Sequence, residues 1–235
     1  MTSHTEITAT MELQFEDEWD RRVYVLWTQA LLPVFGERMT VHEDLYEATH
    51  AHRIEHNGGY GEGGCTAWPS PPYQAPMWPL VEALVSPRSF LEIGCALGYN
   101  LALMASAGDR RSTVHGIEID ASHAALAEAA IASRGLAQRV QVFAGDLKDV
   151  LPRLAGPYDV IFVDSGGRED MQNDLRRLIG QRGVVVDKEP LRAEVEKLVE
   201  LLEETSLKGV RDVERVHGEV ERRYEAAVEK ALVAL

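Results

Sequence analysis

Acidic residues recur at the ends of four apolar segments of the sequence. Glu92 lies in the first, SFLEIG, and Glu118 and Asp120 close the second, VHGIEID. The third runs into AGD with Asp146, and the fourth, VIFVD, ends in Asp164. Carboxylates placed side by side repel one another unless solvent or a ligand uses them. The repetition therefore predicts a ligand site lined by hydrogen-bond acceptors.

Two glycines, Gly94 and Gly98, follow the first acid in the pattern E-x-G-x-x-x-G. Glycines let the backbone turn sharply and approach a ligand closely. A helix that begins after such a turn presents free N–H groups to an anion. Because the spacing differs from the dinucleotide pattern G-x-G-x-x-G, it suits a ligand that carries a carboxylate instead of a pyrophosphate.

The remaining acids indicate which further groups the predicted ligand carries. An acid at the end of the second strand accepts hydrogen bonds from ribose hydroxyls in nucleotide-binding sheets, and here either Glu118 or Asp120 would do so. Asp146 would accept a hydrogen bond from an exocyclic amine, or would instead cap the helix that follows it. A ligand with a carboxylate, a ribose and an aminopurine is S-adenosylmethionine.

The segments that position these residues alternate between strand and helix patterns. This alternation predicts an α/β fold with a parallel sheet covered on both faces, and the continuous apolar strands VIFV and VVV agree with it. Ligands bind such doubly wound sheets beyond the carboxyl ends of the strands. We expect an N-terminal helical extension and lid over 1–75 and the ligand-binding domain over 76–235.

The stretches that carry these motifs resemble a known family: LEIGCALGYNLALMA, VHGIEID, VQVFAGDLKDVLPRL and YDVIFVD. They are similar to class I S-adenosylmethionine-dependent methyltransferases, and most similar to small-molecule O-methyltransferases of the catechol and caffeoyl-coenzyme A kind. The resemblance covers residues 72–187. It implies a Rossmann-like, mostly parallel sheet of seven strands, and methyl transfer to a small-molecule hydroxyl of the natural-product or phenolic type. It also implies that the cofactor contacts come from Glu92, Gly94, Gly98, Tyr99, Asn100, Glu118, Ile119, Asp146, Leu147 and Asp164.

In the resembled family, an acid after the fourth strand and an Asp-Asn pair after the fifth hold a divalent cation, Mg²⁺ or Ca²⁺. Asp164 and Asp187 match the two acids, but Lys188 stands where the family has Asn. A protonated lysine repels a cation and can pair with either acid. We therefore predict a catalytic role for Asp164, which would orient the acceptor, or for Lys188, which would act as its base. A solvated lysine at the strand end is the alternative for Lys188, and a cation held by Asp164 and Asp187 is the alternative for the site.

The histidines of THAHRIEHN offer a second candidate base. We predict that His56 closes over the acceptor pocket, and an exposed helix end is the alternative. If the helix extends that far, His52 and His56 share one face, and HRIEH matches the short zinc pattern H-x-x-E-H. The sequence names no third ligand for such a site.

The Gly- and aromatic-rich segment 57–78 predicts a lid or a wall of the acceptor pocket. Trp68, Tyr73 and Trp78 would suit a flat or apolar acceptor, and ordinary packing against the domain is the alternative.

The tail after residue 208 fits two structures, because Val220, Tyr224 and Val228 fall at helical spacing but also alternate as a strand would. The resemblance favours an antiparallel hairpin there.

Composition limits the classes of partner. The net charge of −14 disfavours a nucleic-acid partner, since nucleic-acid binding depends on basic contacts. We find no apolar run long enough for a membrane span, no signal-peptide pattern and no disulfide framework. We expect a cytoplasmic enzyme that acts on a small molecule, and its N-terminal helices could form the contact of a homodimer. Aminopropyl transfer, cyclisation of the cofactor, and a non-catalytic cofactor-binding partner remain alternatives.

Overall fold

The computed structural model describes residues 18–40, 42–56, 65, 67–68, 70–165, 171–207 and 213–234. Within these ranges six strands form one sheet in the order β3-β2-β1-β4-β5-β6. The strands are β1 (Ser89–Ile93), β2 (Thr113–Glu118), β3 (Val140–Ala144), β4 (Tyr158–Val163), β5 (Ile179–Val186) and β6 (Leu232–Val233). The first five are parallel, and β6 pairs antiparallel with β5. The predicted α/β class with a mostly parallel sheet is confirmed.

In the described ranges, four α-helices precede β1 and the other helices follow the parallel strands, and together they cover both faces of the sheet. They are α1 (Glu18–Leu26), α2 (Leu32–Phe35), α3 (Glu43–Glu55), α4 (Met77–Val85), α5 (Tyr99–Ala107), α6 (Ala121–Ser133), α7 (Leu147–Val150), α8 (Gln172–Leu178), α9 (Lys188–Leu207) and α10 (Val213–Ala231). A π-helical turn, Trp27–Leu31, joins α1 to α2, and 3₁₀ turns occupy Gly36–Arg38, Pro72–Gln74 and Leu151–Arg153. None of the helices in the described ranges combines the length and the apolar character that crossing a membrane requires.

Strand β4 shows why the sheet is buried on both sides. Successive side chains of a strand point to opposite faces. Val160 and Phe162 belong to one hydrophobic cluster, whereas Ile161 and Val163 belong to the other. All four are buried, as expected for a parallel strand that lies between two layers of helices.

The strand order reverses between β1 and β4. From β1 the chain moves outward through β2 to β3, and it then returns to place β4 on the other side of β1. Such a switch point opens a crevice at the carboxyl ends of the two central strands, where open α/β sheets bind ligands. The glycine turn after β1 and Asp164 after β4 meet at this crevice.

The N-terminal helices pack onto the same core as the sheet. An apolar stripe of α1 and the π-turn is buried in the larger hydrophobic cluster: Val23, Leu26, Trp27, Ala30 and Leu31. Ion pairs add contacts at the rim, where Arg22 lies 2.7 Å from Glu203 of α9 and Arg38 lies 3.3 Å from Glu225 of α10.

The tail is helical, so the prediction of a terminal hairpin is wrong. Val220, Tyr224 and Val228 are fully buried along one face of α10, which is the helical one of their two possible spacings. The Tyr224 hydroxyl also donates a hydrogen bond to the Tyr73 carbonyl. Gly218, a residue type that is common in hairpin turns, lies inside this helix. Only the short β6 continues the sheet, and the described residues therefore contain six strands instead of the predicted seven.

Candidate functional site

The turn after β1 adopts left-handed backbone conformations at Gly94, Ala96 and Gly98, with φ values of +87°, +45° and +86°. A Cβ atom at Gly94 would lie 3.1 Å from the Ser165 Cβ and 3.3 Å from the Asp164 carbonyl oxygen. Gly94 is thus required both by its φ, which favours glycine, and by the close approach of the chain that leaves β4.

Helix α5 begins directly after Gly98. The side chains of its first two residues, Tyr99 and Asn100, are buried, and the Tyr99 ring centroid lies 5.6 Å from that of Tyr46. Burial raises the pKa of the Tyr99 hydroxyl. Because both side chains are enclosed by protein, the groups that this helix start can offer to an anion are its backbone N–H groups.

Asn100 joins the predicted site residues through a network of hydrogen bonds. Its Nδ2 donates to Glu92 Oε1 at 3.1 Å and to Ser70 Oγ at 2.6 Å. Its Oδ1 accepts a hydrogen bond from Trp78 Nε1 at 3.3 Å. Ser70 in turn donates to Asp164 Oδ2 at 3.0 Å. The network fixes the acids at the ends of β1 and β4 relative to one another.

Glu92 is an acid in an unfavourable environment. Its side chain is 1% exposed, and Oε2 has no hydrogen-bond partner among the described residues. Burial, and then the negative charge of Asp164, raise the pKa of this carboxyl well above its usual value, although the hydrogen bond from Asn100 opposes the shift. A buried acceptor without a partner destabilises the fold, so Oε2 is free to accept a hydrogen bond from a bound ligand.

We predict that Glu92→Gln stabilises the ligand-free protein, and that the gain increases with pH. The raised pKa means that the folded state holds the proton more tightly than the unfolded state, so this residue's contribution to stability is lost as pH rises through the folded pKa. Glutamine cannot ionise, and its oxygen still accepts the Asn100 hydrogen bond. Urea unfolding should show a difference of at least about 1 kcal/mol at pH 8, and a smaller one at pH 5. A difference that is the same at both pH values would contradict this explanation.

Glu118 and Asp120, which the sequence left as alternatives, have distinct positions. Glu118 is buried beside the glycine turn, and its two oxygens accept hydrogen bonds from the backbone N–H groups of Ala96 at 2.9 Å and Asp120 at 3.0 Å. The Asp120 side chain caps α6, accepting from Ser122 N at 2.7 Å and His123 N at 3.2 Å. The hydrogen bonds from Ser122, led by its hydroxyl, and from His123 lower the pKa of Asp120 to about 2.

The residues after β2 and β3 form the outer part of the site. Ile119 is 65% exposed, and Leu147 is half-buried against the smaller core cluster. Asp146 caps α7 by accepting from Lys148 N at 3.0 Å, and this hydrogen bond lowers the pKa of the Asp146 carboxyl. The helix-cap alternative for Asp146 is therefore observed, and the second lone pair on each oxygen remains for a further hydrogen bond.

At the end of β4, Asp164 is held from both sides. Ser70 donates to Oδ2, and the Lys188 ammonium forms an ion pair with Oδ1. Lys188 is the first residue of α9, and its side chain is 38% exposed. The ion pair that the sequence offered as one reading of Lys188 is thus present.

The residues do not fit the divalent-cation site that the resemblance implies. Both oxygens of Asp164 already have partners, one of them a cation. Oδ1 of Asp187 accepts from the Glu189 N–H at 3.2 Å, and its neighbour Lys188 offers no lone pair in its protonated form. Hard cations need several oxygen ligands, and the described part of the chain brings no third carboxylate, imidazole or thiol to Asp164 and Asp187.

His56 lies at the exposed end of α3. Its Nδ1 is 2.8 Å from the His52 carbonyl oxygen, and its ring stacks on the ring of His52 with the two centroids 4.2 Å apart. Within the described residues it makes no hydrogen bond to Asp164 or Lys188, so the arrangement does not bring the three predicted catalytic residues together.

Part of the predicted lid, residues 57–64, 66 and 69, lies outside the described residues. Of its aromatic residues, Tyr73 and Trp78 are buried in the core, which is the packing alternative. Trp68 differs from them, because it lines a small cleft together with Ser70, Glu92, Gly94 and Asp164. The cleft therefore lies beside the glycine turn and the acids at the ends of β1 and β4.

Comparison with known proteins agrees with this geometry. Residues 91–186 match a methyltransferase domain. This methyltransferase domain contains the glycine turn, Glu118, Asp146 and Asp164, and it ends one residue before Asp187. The resemblance to methyltransferases that the sequence predicts is therefore confirmed over these residues.

Curated relatives extend the likeness. The chain is 35% identical over 108 residues to the catechol O-methyltransferase of Niastella koreensis, covering 44% of this chain and 49% of that protein. It is 30% identical over 113 residues to the catechol O-methyltransferase of Mycobacterium tuberculosis, covering 46% and 50%. The chain thus spans about half the length of these relatives. The SAH-bound methyltransferase of Podospora anserina shares the fold, with a TM-score of 0.55 at 18% identity, covering 94% of this chain and 88% of that one.

Sequence reasoning missed two parts of the site. Ser70, which bridges Asn100 and Asp164, sits among prolines without a motif of its own, and it is 94 residues from its acidic partner. His123 lies in the Ala-rich helix α6, where nothing in the pattern marks it. Its Nε2 is 3.5 Å from Cys65 Sγ and its Nδ1 is 3.9 Å from Glu118 Oε1. Only the folded arrangement reveals these contacts.

Proposed function

We propose that this protein transfers a methyl group from S-adenosylmethionine to a hydroxyl oxygen of a small-molecule acceptor. One observation carries the proposal: two buried acids, Glu92 and Glu118, flank a left-handed glycine turn at the switch point of a doubly wound sheet. That arrangement occurs within the matched methyltransferase domain, and the relatives named as catechol O-methyltransferases support an oxygen acceptor.

The residues present fit the cofactor. Glu118 would accept hydrogen bonds from the ribose hydroxyls, because each of its oxygens keeps a lone pair besides its backbone contact. The unpartnered Oε2 of Glu92 would accept from the ammonium of the methionine moiety, and the N–H groups at the start of α5 would hold its carboxylate. Ile119 offers an exposed apolar surface to the adenine ring, and Asp146 and Leu147 would lie beside the exocyclic amine of that ring.

S-adenosylmethionine supplies a methyl group on a sulfonium, and the protein must align and activate the acceptor. The acceptor hydroxyl would lose its proton to solvent as its oxygen takes the methyl group, and the Lys188 ammonium, held by Asp164, would stabilise the negative charge that develops on that oxygen. A fixed ammonium here would supply the electrostatic effect that a divalent cation supplies in the resembled family. Ser70 and Asn100 position the Asp164 carboxylate that holds it. The acceptor binds on the side of the cleft that Trp68 lines.

We also propose a cellular location, an oligomeric state and a class of partners for the protein. Cytoplasmic location, a homodimer, and the absence of nucleic-acid or membrane partners remain predictions from the sequence. Size-exclusion chromatography with light scattering would measure the oligomeric state directly.

The proposed activity is tested by incubating the purified protein with methyl-labelled S-adenosylmethionine and a panel of catechols, phenols, carboxylic acids and amines. Mass spectrometry should find a phenol or a catechol that gains one methyl group, with S-adenosylhomocysteine as the by-product. Fragmentation of the cofactor elsewhere would instead support aminopropyl transfer or cyclisation. Cofactor binding without turnover on any acceptor would support a non-catalytic partner protein.

A further inference from the structure

Three potential metal ligands converge outside the predicted catalytic residues. His52 of α3, Cys65 and His123 of α6 each place one ligand atom within 4.8 Å of the other two. His123 is buried, whereas His52 and Cys65 are half-buried. They come from three separate parts of the chain, so local sequence spacing does not explain their meeting.

The distances suit a tetrahedral ion. Cys65 Sγ lies 3.5 Å from His123 Nε2. In a tetrahedral zinc site with ordinary Zn–S and Zn–N bond lengths, neighbouring ligand atoms are about 3.3–3.6 Å apart. The ring of His52 meets that of His123 edge to face, with centroids 5.2 Å apart, so a small movement of the half-buried His52 would complete the set.

The orientation of His123 is also that of a metal ligand. Its Nδ1 is buried without a hydrogen-bond partner in the described part of the chain and lies 3.9 Å from Glu118 Oε1. Metal-binding histidines usually direct the second ring nitrogen at a carboxylate, which fixes the tautomer and the ring. Here Nδ1 faces Glu118, and Nε2 is left to face Cys65.

We propose that His52, Cys65 and His123 bind a zinc ion next to the predicted ribose acid. One thiolate and two imidazoles are ligands that Zn²⁺ prefers over hard cations such as Mg²⁺. The fourth position is open to water. Of the two histidines in the H-x-x-E-H pattern, only His52 would bind the ion. It would do so together with two residues that are distant in sequence, and His56 would not be a ligand. The ion would connect α3 to α6 and would fix Cys65, three residues before the cleft residue Trp68.

The site is tested with the full-length protein after treatment with chelator. Zn²⁺ alone is titrated in competition with a chromophoric zinc chelator, and Co²⁺ is used as a spectroscopic substitute. We expect one ion per chain, with intense tetrahedral d–d bands and a thiolate-to-cobalt charge-transfer band. Cys65→Ser should abolish that band, and Cys65→Ser or His52→Ala should each weaken Zn²⁺ binding by at least about 100-fold, since even outer-shell changes cost 10–100-fold.

His50→Ala is the matched control, because His50 lies on the same helix outside the cluster. It should bind Zn²⁺ as the wild type does. Circular dichroism of each variant excludes loss of fold, which is not expected because Cys65 and His52 are half-buried. Failure to bind a stoichiometric ion, or equal binding by the wild type and Cys65→Ser, would overturn the proposal. Either result would leave the proposed methyl transfer untouched, because that function does not rest on this ion.

Discussion

Replacing Glu118 with glutamine should weaken the binding of S-adenosylmethionine and of its demethylated product by about 100-fold. Hydrogen bonds to a charged group contribute about 1.5–3 kcal/mol each, and the ribose would offer two. Glutamine keeps one acceptor oxygen for the glycine turn, where Ala96 N lies 2.9 Å from the Glu118 carboxylate. The variant should therefore fold, and isothermal titration calorimetry measures the loss of affinity directly.

Asp120→Asn provides the control for this experiment. Asp120 is also an acid at the end of β2, but its side chain caps α6 through Ser122 N and His123 N. Asparagine caps helices about as well as aspartate does, so affinity for the cofactor should change by less than about two-fold. If Asp120→Asn lost as much affinity as Glu118→Gln, the assignment of the ribose contact to Glu118 would be wrong.

The second large effect is expected at Lys188. Lys188→Met should lower kcat by at least about 100-fold, in the range found when a group that assists proton or charge transfer is removed. The affinity for S-adenosylmethionine should change little, because Lys188 contacts the acid after β4 and not Glu118. Steady-state kinetics on an acceptor from the panel, combined with calorimetry, separates the two quantities. Lys197→Met on the same helix, whose ammonium pairs with Glu194 at 3.3 Å, serves as the control with unchanged kcat.

Chelator should leave the turnover of the wild type unchanged if the Lys188–Asp164 ion pair replaces the cation. Lys188→Asn restores the Asp-Asn pair of the resembled family beside Asp164, and its activity should rise on addition of Mg²⁺. Turnover of the wild type that is abolished by chelator and restored by Mg²⁺ would contradict the role given to Lys188.

The sheet and the turn were predictable because their signals are local. The apolar strands, the glycine spacing of Gly94 and Gly98, and the acids at strand ends all lie within single segments of sequence. The burial of Glu118 and the exposure of Asp120 were not predictable, since both lie at the end of the same strand, and only the capping of α6 by Asp120 distinguishes them.

The tail and the polar network depend on tertiary contacts. Val220, Tyr224 and Val228 fit two periodicities, and packing of α10 on the core decided between them. Ser70 meets Asp164, and Cys65 meets His123, across gaps of 94 and 58 residues. Such pairs carry no periodic signal, so a single sequence does not reveal them.

A crystal structure of the protein with bound S-adenosylhomocysteine would test the central claim most directly. We predict both ribose hydroxyls within hydrogen-bond distance of the Glu118 carboxylate, about 2.5–3.0 Å, with the amino-acid end over the turn from Gly94 to Gly98. A ligand whose ribose lies away from Glu118, or whose density lies outside the crevice between β1 and β4, would contradict the account.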